Sequence, residues 1–345
     1  MQDITAADLR VPILGPCRFP APGMAGDLAT EGGGWIADDD KILFYHNTAH
    51  LAGVSSLADV PVMEQSGPRR EIFFDPAETT CGIVTCGGLC PGLNDVIRSI
   101  VMQAHQVYGL RRVLGLRYGY ESLNPALGHQ PLELTPDTVA NIHHFGGTIL
   151  GSSRGQQEPA VMVDALVAMG IDILFVIGGD GSQKGAHAIC QEVTRRGLAI
   201  SVIGVPKTID NDLLVIDRSF GYLTAFSAAC QAVLAAQCEA QGARNGVGLV
   251  KLMGRDSGFI ACGAALATSA ADFVLIPEVP FQLEGEDGLF HELDRVLARK
   301  GHATIIAAEG AGQDLCGQSG QTDASGNVLK GEIGLFLKHA LATRA

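Results

Sequence analysis

The sequence is poor in positive charge. Against 37 acidic residues it sets 24 lysines and arginines, a formal net charge of −13 over 345 residues. A field of that sign opposes nonspecific binding to nucleic acid or to an anionic membrane surface. It leaves phosphorylated metabolites open, because backbone dipoles and a bound cation act locally. Long apolar runs are also missing: 47% of the residues are hydrophobic, yet no unbroken stretch approaches the ~20 residues of a membrane helix. The opening "MQDITAADLRVPILGPCRFP" has no basic segment ahead of an apolar one, so no secretory signal is expected. Among nine cysteines there is no CxxC pair, and the spacing of Cys81, Cys86 and Cys90 matches no zinc pattern. Cysteines inside apolar runs, such as Cys81 and Cys262, read as the reduced thiols of a cytoplasmic protein. No repeat of solenoid period and no extended low-complexity segment is present.

Glycine, by contrast, is abundant at 44 residues, and its placement changes along the chain. Up to about residue 80, Gly, Pro, Asp and Thr interrupt every short apolar run, as in "APGMAGDLATEGGGWIADDD", which predicts an irregular extension wrapped on a folded body. From residue 81 onward regular apolar runs recur at "CGIVT", "RVLGLRYG", "DILFVIGG", "ISVIGV", "VGLVKLMG", "DFVLIP" and "ATIIAAEG". Most precede a helix-compatible segment, the pattern of parallel strands buried between helix layers. The expectation is an α/β protein of two doubly wound Rossmann-like domains with mainly parallel sheets, divided as 1–80, 81–221 and 222–345. The segment "PDTVANIHHFGG" reads as a helix on which His143 and His144 cannot share a face.

Ligands of such sheets bind at the carboxyl ends of the strands, and the unusual residues cluster there. "TCGGLCPGLNDVIRSIV" brings Gly87, Gly88 and Gly92 ahead of a helix start, an anion cradle or simply a tight turn. Leu93 and Asn94 stand where a P-loop needs Lys and Ser or Thr. "VIGGDGSQKGA" sets four glycines around Asp180, a hard oxygen ligand suited to Mg2+ beside phosphates; a helix-capping aspartate is the bland reading. "PKTIDND" crowds Asp210, Asn211 and Asp212 into one turn beside Lys207 and Thr208, which suits a general base or a solvated Asx-turn. "GGTILGSSRGQ" carries Arg154, a natural phosphate clamp. It also spells G-x-S-x-G around Ser153, but Gly155 and Pro159 are a poor start for the helix a nucleophile elbow requires. "LVKLMGRDSGFIA" ends a strand on Arg255, which suits either an anion or a surface ion pair. Together these are ingredients of phosphoryl transfer.

In order and interval, "TCGGLCPGLN", "GGTILGSSRG", "IGGDGSQKGA", "PKTIDND", "KLMGR" and "IPEVPF" resemble the signatures of the 6-phosphofructokinases, and "GPRREIFFDP" resembles the plant and trypanosomatid branch. The resemblance runs from about residue 35 to 345. It implies that residues 81–221 bind nucleotide phosphates and Mg2+ and that 222–345 bind the sugar phosphate. Gly87, Arg154, Gly155, Gly179, Asp180, Gly181 and Ser182 would hold ATP, with Asp180 on Mg2+ and Tyr120 near the adenine. Thr208, Ile209, Asp210, Met253, Gly254, Arg255 and Glu309 would meet fructose 6-phosphate, with Asp210 as base for its 1-hydroxyl and Arg154 and Arg255 as catalytic cations. An allosteric, cytoplasmic homo-oligomer, dimeric or tetrameric, is implied as well.

Gly181 and Lys207 bear on the donor. Pyrophosphate-dependent relatives usually carry Asp at the position of Gly181 and share Lys207, so the mixed pair resembles plant-like ATP-dependent enzymes. Pyrophosphate remains the alternative donor. Two departures stand out: Gly246 occupies the place of an arginine that reaches a neighbouring subunit in bacterial relatives, and the chain stops at "GLFLKHALATRA" where relatives continue onto the sugar phosphate. A shortened, non-catalytic nucleotide-binding chain is therefore a second expectation. A different kinase sharing "GGDG", such as an NAD kinase, is opposed by "TIDND" and "MGR". Glu278 suits either a regulatory site or the fold.

Overall fold

A computed structural model describes residues 4–22, 34–45, 47, 56, 60–317, 320–322 and 328–344. Its central strand is β5, Thr80–Thr85, buried at all six positions, as a strand covered on both faces must be. Around it lie β6 (Arg112–Leu116), β7 (Leu132–Glu133), β8 (Ile173–Gly178) and β9 (Ser201–Pro206), in the order β7-β6-β5-β8-β9. All neighbours are parallel except β7 on β6. Successive side chains of a strand alternate between faces, and the two faces have separate cores. Val84, Leu116, Leu174 and Val176 pack under α3 (Pro159–Met169) and α4 (Asp180–Arg195). Cys81, Ile83, Val113 and Ile177 pack under α1 (Leu93–Met102), whose Leu93, Ile97 and Val101 recur at helical spacing.

A second parallel sheet contains β10 (Gly246–Leu252), β11 (Phe273–Leu275) and β12 (His302–Ala308) in the order β10-β12-β11. On one face α5 (Tyr222–Gly242) and α6 (Phe259–Thr268) cover Ile306 and Ala308. On the other, α7 (Leu289–Lys300) and α9 (Ile333–Arg344) cover Ile305 and Ala307, with α8 (Gln313–Cys316) alongside. The described part of the extension forms two short antiparallel pairs, β1 (Phe19–Pro20) with β4 (Glu71–Ile72) and β2 (Lys41–Leu43) with β3 (Val62–Glu64). The motif "APGMAGDLATEGGGWIADDD" falls partly outside the described residues.

One expectation fails locally. "PDTVANIHHFGG" is not a continuous helix but a four-residue α2, Pro136–Val139, followed by a separate turn at Ile142–His144. Side chains of α1 take the backbone groups a longer helix would use: Arg98 Nε donates to the Ala140 carbonyl at 3.2 Å and Asn94 Nδ2 to the Phe145 carbonyl at 2.9 Å. The rings of His143 and His144 consequently do share a face, with centroids 3.9 Å apart.

Candidate active site

The strand order reverses direction between β5 and β8, since β6 follows β5 on one side and β8 and β9 lie on the other. At such a switch point the loops leaving adjacent strands part and open a crevice. The two loops here are the turn after β5 and the turn into α4. Gly87 has φ +81°, and its N–H donates to the Ser153 carbonyl at 3.1 Å while its own carbonyl accepts from Ser152 Oγ at 2.6 Å. A Cβ on Gly87 would lie 3.8 Å from both Lys207 Nζ and Ser182 Oγ, and one on Gly88 would lie 3.8 Å from Arg154 Nη2. Gly87, Arg154, Ser182 and Lys207, remote in sequence, thus converge on one loop. Gly155 has φ +115° and open space around it. No helix follows that loop before Pro159, and the Ser153 carbonyl serves Gly87, so the nucleophile-elbow geometry is absent.

Lys207 is 6% exposed, and its Nζ donates to the Gly88 carbonyl at 2.5 Å. Burial pushes its pKa down, and the neighbouring Arg154 pushes the same way. Two cations beside a glycine-rich turn are an arrangement that a bound anion relieves. Cys86 and Cys90 flank the same lysine, but burial raises their thiols to about 12 and about 11, so they are inert packing groups.

Helix α4 starts at Gly179 with no side-chain cap on its first N–H groups, a ready anion site. Asp180 lies in the first turn, exposed, with an ion pair to Lys184 at 2.7 Å. A Cβ on Gly181 would meet nothing within 4 Å, whereas one on Gly179 would meet the Lys207 carbonyl at 3.2 Å. Among the described residues no group of three His, Cys, Asp or Glu could hold a metal unaided. A single exposed carboxylate still fits Mg2+, which takes most of its shell from phosphates and water. Tyr120 is 6% exposed, its hydroxyl donates to the Ser182 carbonyl at 2.6 Å, and a Cβ on Gly185 would lie 2.6 Å from its ring. Packed beneath α4, the ring braces the first turn of the helix that carries Asp180.

The chain leaves β9 into the turn holding Thr208, Ile209, Asp210, Asn211 and Asp212. Asn211 has φ +55° and is committed internally, with Nδ2 donating to the Asp217 carbonyl and Oδ1 accepting from Ser219 N–H at 2.8 Å. Asp212 accepts from Thr208 Oγ1 at 2.7 Å. Ser219 Oγ accepts from Thr208 N–H at 2.9 Å and also donates to the Thr208 carbonyl. Ile209, half-buried, packs against both the α1-side core of the first sheet and the α5–α6 core of the second. Asp210 is left over. Its Oδ2 accepts from Arg255 N–H at 3.3 Å, while its Oδ1 is buried with no partner. Burial raises its pKa, and the carboxylates of Asp212, Glu309 and Asp256 raise it further against the lowering effect of the Arg255 N–H. A carboxylate with one unsatisfied oxygen and a raised pKa is a group prepared to accept a proton.

Across the joint, β10 delivers Met253, Gly254 and Arg255, and β12 delivers Glu309. Glu309 N–H donates to the Leu252 carbonyl at 2.9 Å and Gly310 N–H to the Gly254 carbonyl at 3.0 Å. Gly254 has φ +134°. A Cβ on Gly310 would lie 1.8 Å from the Arg255 carbonyl oxygen, so only glycine admits this approach. Met253 is 54% exposed. The Arg255 guanidinium donates to the Val328 carbonyl and lies 3.6 Å from Asp256. Glu278 Oε1 accepts from the N–H of Gly258, the residue that precedes α6, at 2.8 Å. At Gly246 a Cβ would lie 2.3 Å from the Ala240 carbonyl oxygen, so no side chain fits there without backbone movement. Ser219, Ser257 and Gln183 escaped sequence reasoning. Ser257 Oγ donates to the Asp210 carbonyl at 2.6 Å, a contact across 47 residues that no local spacing reveals.

Known proteins resemble this chain over most of its length. The family described as Phosphofructokinase matches residues 80–343. An ATP-dependent 6-phosphofructokinase of Amycolatopsis methanolica is 49% identical over 344 residues, covering 97% of this chain and 74% of that protein. One from Trypanosoma brucei brucei is 46% identical, covering 98% of this chain and 68% of that protein. Among solved structures, a pyrophosphate-dependent phosphofructokinase from Marinobacter aquaeolei superposes with a TM-score of 0.58 at 26% identity, over 68% of this chain and 61% of that one. The chain thus spans roughly two thirds to three quarters of these two curated relatives, and less of the solved neighbour. With the family pattern running from the first buried strand through the last helix, and near-half identity to two ATP-dependent 6-phosphofructokinases, this chain belongs to the phosphofructokinase family.

Proposed function

We propose that this chain transfers the γ-phosphoryl group of Mg-ATP to the 1-hydroxyl of fructose 6-phosphate, giving fructose 1,6-bisphosphate. The observation that carries the reading is the unsatisfied, buried Oδ1 of Asp210 at the joint of the two sheets. That oxygen takes the hydroxyl proton as the sugar oxygen bonds to the γ-phosphorus and the bond to the departing ADP breaks. Arg154 and Lys207 hold phosphate charge beside Gly87 and Gly88, and the uncapped first turn of α4, with Gly179, Gly181 and Ser182, offers N–H groups to it. Bound Mg2+ neutralises phosphate charge, and Asp180 is the residue that would hold it. Thr208, Met253, Gly254, Arg255 and Glu309 line the sugar side. The open space at Gly181 and the ATP-dependent names of the 46–49% identical relatives support ATP over pyrophosphate as donor.

Homo-oligomeric assembly in the cytoplasm is part of the proposal. Leu223 and Leu234 of α5 and Phe259 and Leu266 of α6 are exposed on neighbouring helices, an apolar face that a second copy would cover. Among the described residues no helix is long and apolar enough to cross a membrane.

The test is fructose 1,6-bisphosphate formation by the purified chain, with Mg-ATP and Mg-pyrophosphate in parallel and Asp210→Asn as blank. ATP-driven turnover that the blank lacks supports the proposal. Turnover with pyrophosphate alone selects the other donor. Nucleotide binding without turnover by a folded chain selects a non-catalytic role.

A further inference from the structure

The phosphate-binding turn at 179–182 and the base-bearing turn at 208–212 leave the ends of two neighbouring parallel strands, β8 and β9. Where the strands end their ladder stops, and the last bond between them runs from Lys207 N–H to the Gly178 carbonyl at 3.0 Å. Gln183, in the second turn of α4, turns its side chain back into this fork. Its Nε2 lies 2.9 Å from the Gly178 carbonyl oxygen on β8 and 3.2 Å from the Val205 carbonyl oxygen on β9, with Val176 O at 3.5 Å. The strand makes room for it: Gly204 pairs with Val176 in the register, and a Cβ there would lie 2.1 Å from Gln183 Oε1. One amide thus ties both strands to the helix whose first turn carries Asp180.

We propose that Gln183 is a positioning residue for phosphoryl transfer, an amide clamp that sets the separation between the phosphate-binding turn and the Asp210 turn, with Gly204 as its socket. The inference rests on the proposed phosphotransferase reading. A clamp of this kind acts on alignment more than on affinity, because each substrate keeps its own contacts while the reacting atoms lose theirs. Misplacement by about 1 Å lowers turnover by about 10²-fold.

The experiment uses the full chain and compares wild type with Gln183→Leu, Gly204→Ala and the double variant. Leucine keeps most of the volume and removes the amide. Alanine at 204 meets only the far end of a flexible side chain, so it evicts the amide without breaking the strand. Each single variant is expected to lower kcat about 10- to 100-fold with KM for ATP and fructose 6-phosphate within about threefold. The double variant is expected to be no worse than either single one, as for two changes that remove one interaction. Hydrogen exchange on the unliganded proteins reads the clamp without any turnover: Lys207 N–H is expected to exchange faster in each variant, while the buried Leu174 and Val176 N–H groups stay protected. Unchanged exchange at Lys207 overturns the clamp, and unchanged kcat or additive losses overturn its role in positioning. An inactive wild type defeats the phosphotransferase reading instead, leaving the exchange measurement to judge the clamp.

Discussion

Asp210 and Arg255 meet through a backbone N–H: the amide of Arg255 donates to Asp210 Oδ2 at 3.3 Å while Oδ1 of the same carboxylate stays buried and unpaired. The first residue comes from the end of β9 and the second from the end of β10, so the bond joins the two sheets at the place where the proposed transfer brings a sugar hydroxyl to a phosphate. Removing the carboxylate leaves the joint's packing in place. Asp210→Asn is therefore expected to lower kcat by about 10²- to 10⁴-fold with little change in ATP affinity. Steady-state kinetics with both substrates varied, alongside calorimetric ATP binding, checks this, and unchanged turnover would remove Asp210 from the role of base.

The same carboxylate links activity to stability with a definite sign. Burial raises its pKa in the folded protein above the unfolded value, so the folded chain keeps this proton to higher pH than the unfolded chain does. Below about pH 4, the ordinary carboxylate range, both states are protonated and Asp210 imposes no penalty. As pH rises through the interval up to the raised pKa, the unfolded state ionises first and stability is lost. Asp210→Asn should accordingly melt higher than wild type at pH 7, and the gap should close on going to pH 4. A variant that melts lower at neutral pH would show that the carboxylate is better compensated than its orphaned oxygen indicates.

Gly181 tests donor choice without disturbing the fold. Its position in the first turn of α4 opens on space, and an aspartate near a helix N-terminus is favourable to the helix. Gly181→Asp should fold normally yet depress kcat/KM for ATP at least about tenfold, since like charges then face each other. Pyrophosphate use should fall less. Equal losses for both donors would defeat the argument.

How far the sequence discloses this site depends on whether a residue acts through its own loop or through a partner far along the chain. The strand-end loops at 86–92, 178–182 and 207–212 are visible because glycine, aspartate and lysine interrupt apolar runs there, and α/β topology places such ends on one edge. That Asn211 and Asp212 are spent on Ser219 and Thr208, leaving Asp210 alone, depends on a return of the chain that no spacing announces. Tyr120 is a similar case: its bond to the Ser182 carbonyl and its closeness to Gly185 brace the start of α4, a role that its motif position does not announce. The broken helix at 136–144 fails for a related reason: its backbone carbonyls are captured by Arg98 and Asn94 of α1, tertiary partners that outweigh local propensity.

Asp180 carries an ion pair that competes with its proposed task. Lys184 lies 2.7 Å away, one helical turn on, and both side chains are mostly exposed. An exposed pair at this spacing is worth about 0.3–0.5 kcal/mol. Lys184→Gln should therefore lower the Mg2+ concentration for half-maximal activity by about twofold, and Asp180→Asn should raise it by about tenfold or more. Magnesium titrations at fixed ATP distinguish the two, and EDTA should abolish turnover in all three proteins. Identical Mg2+ dependence of wild type and Asp180→Asn would remove Asp180 from the metal.

Gly310 is where the proposed sugar side can be disturbed through the backbone alone. Its missing Cβ would fall 1.8 Å from the Arg255 carbonyl oxygen, and its N–H closes on the Gly254 carbonyl at 3.0 Å. The obstacle is backbone held by the ends of two strands, so it has no flexible tip to move aside, and alanine must push the Arg255 turn away from β12. Overpacking of this kind costs about 1–3 kcal/mol. Gly310→Ala should lower the melting temperature, and because Arg255 N–H is the partner of Asp210 Oδ2, it should lower kcat as well. Gly181→Ala supplies the control: there the Cβ meets nothing within 4 Å, and replacing a helical glycine gains about 0.5–1 kcal/mol. A Gly310→Ala protein as stable as wild type would mean that the turn from Gly254 to Ser257 yields freely, and with it the fixed approach of Arg255 to the base.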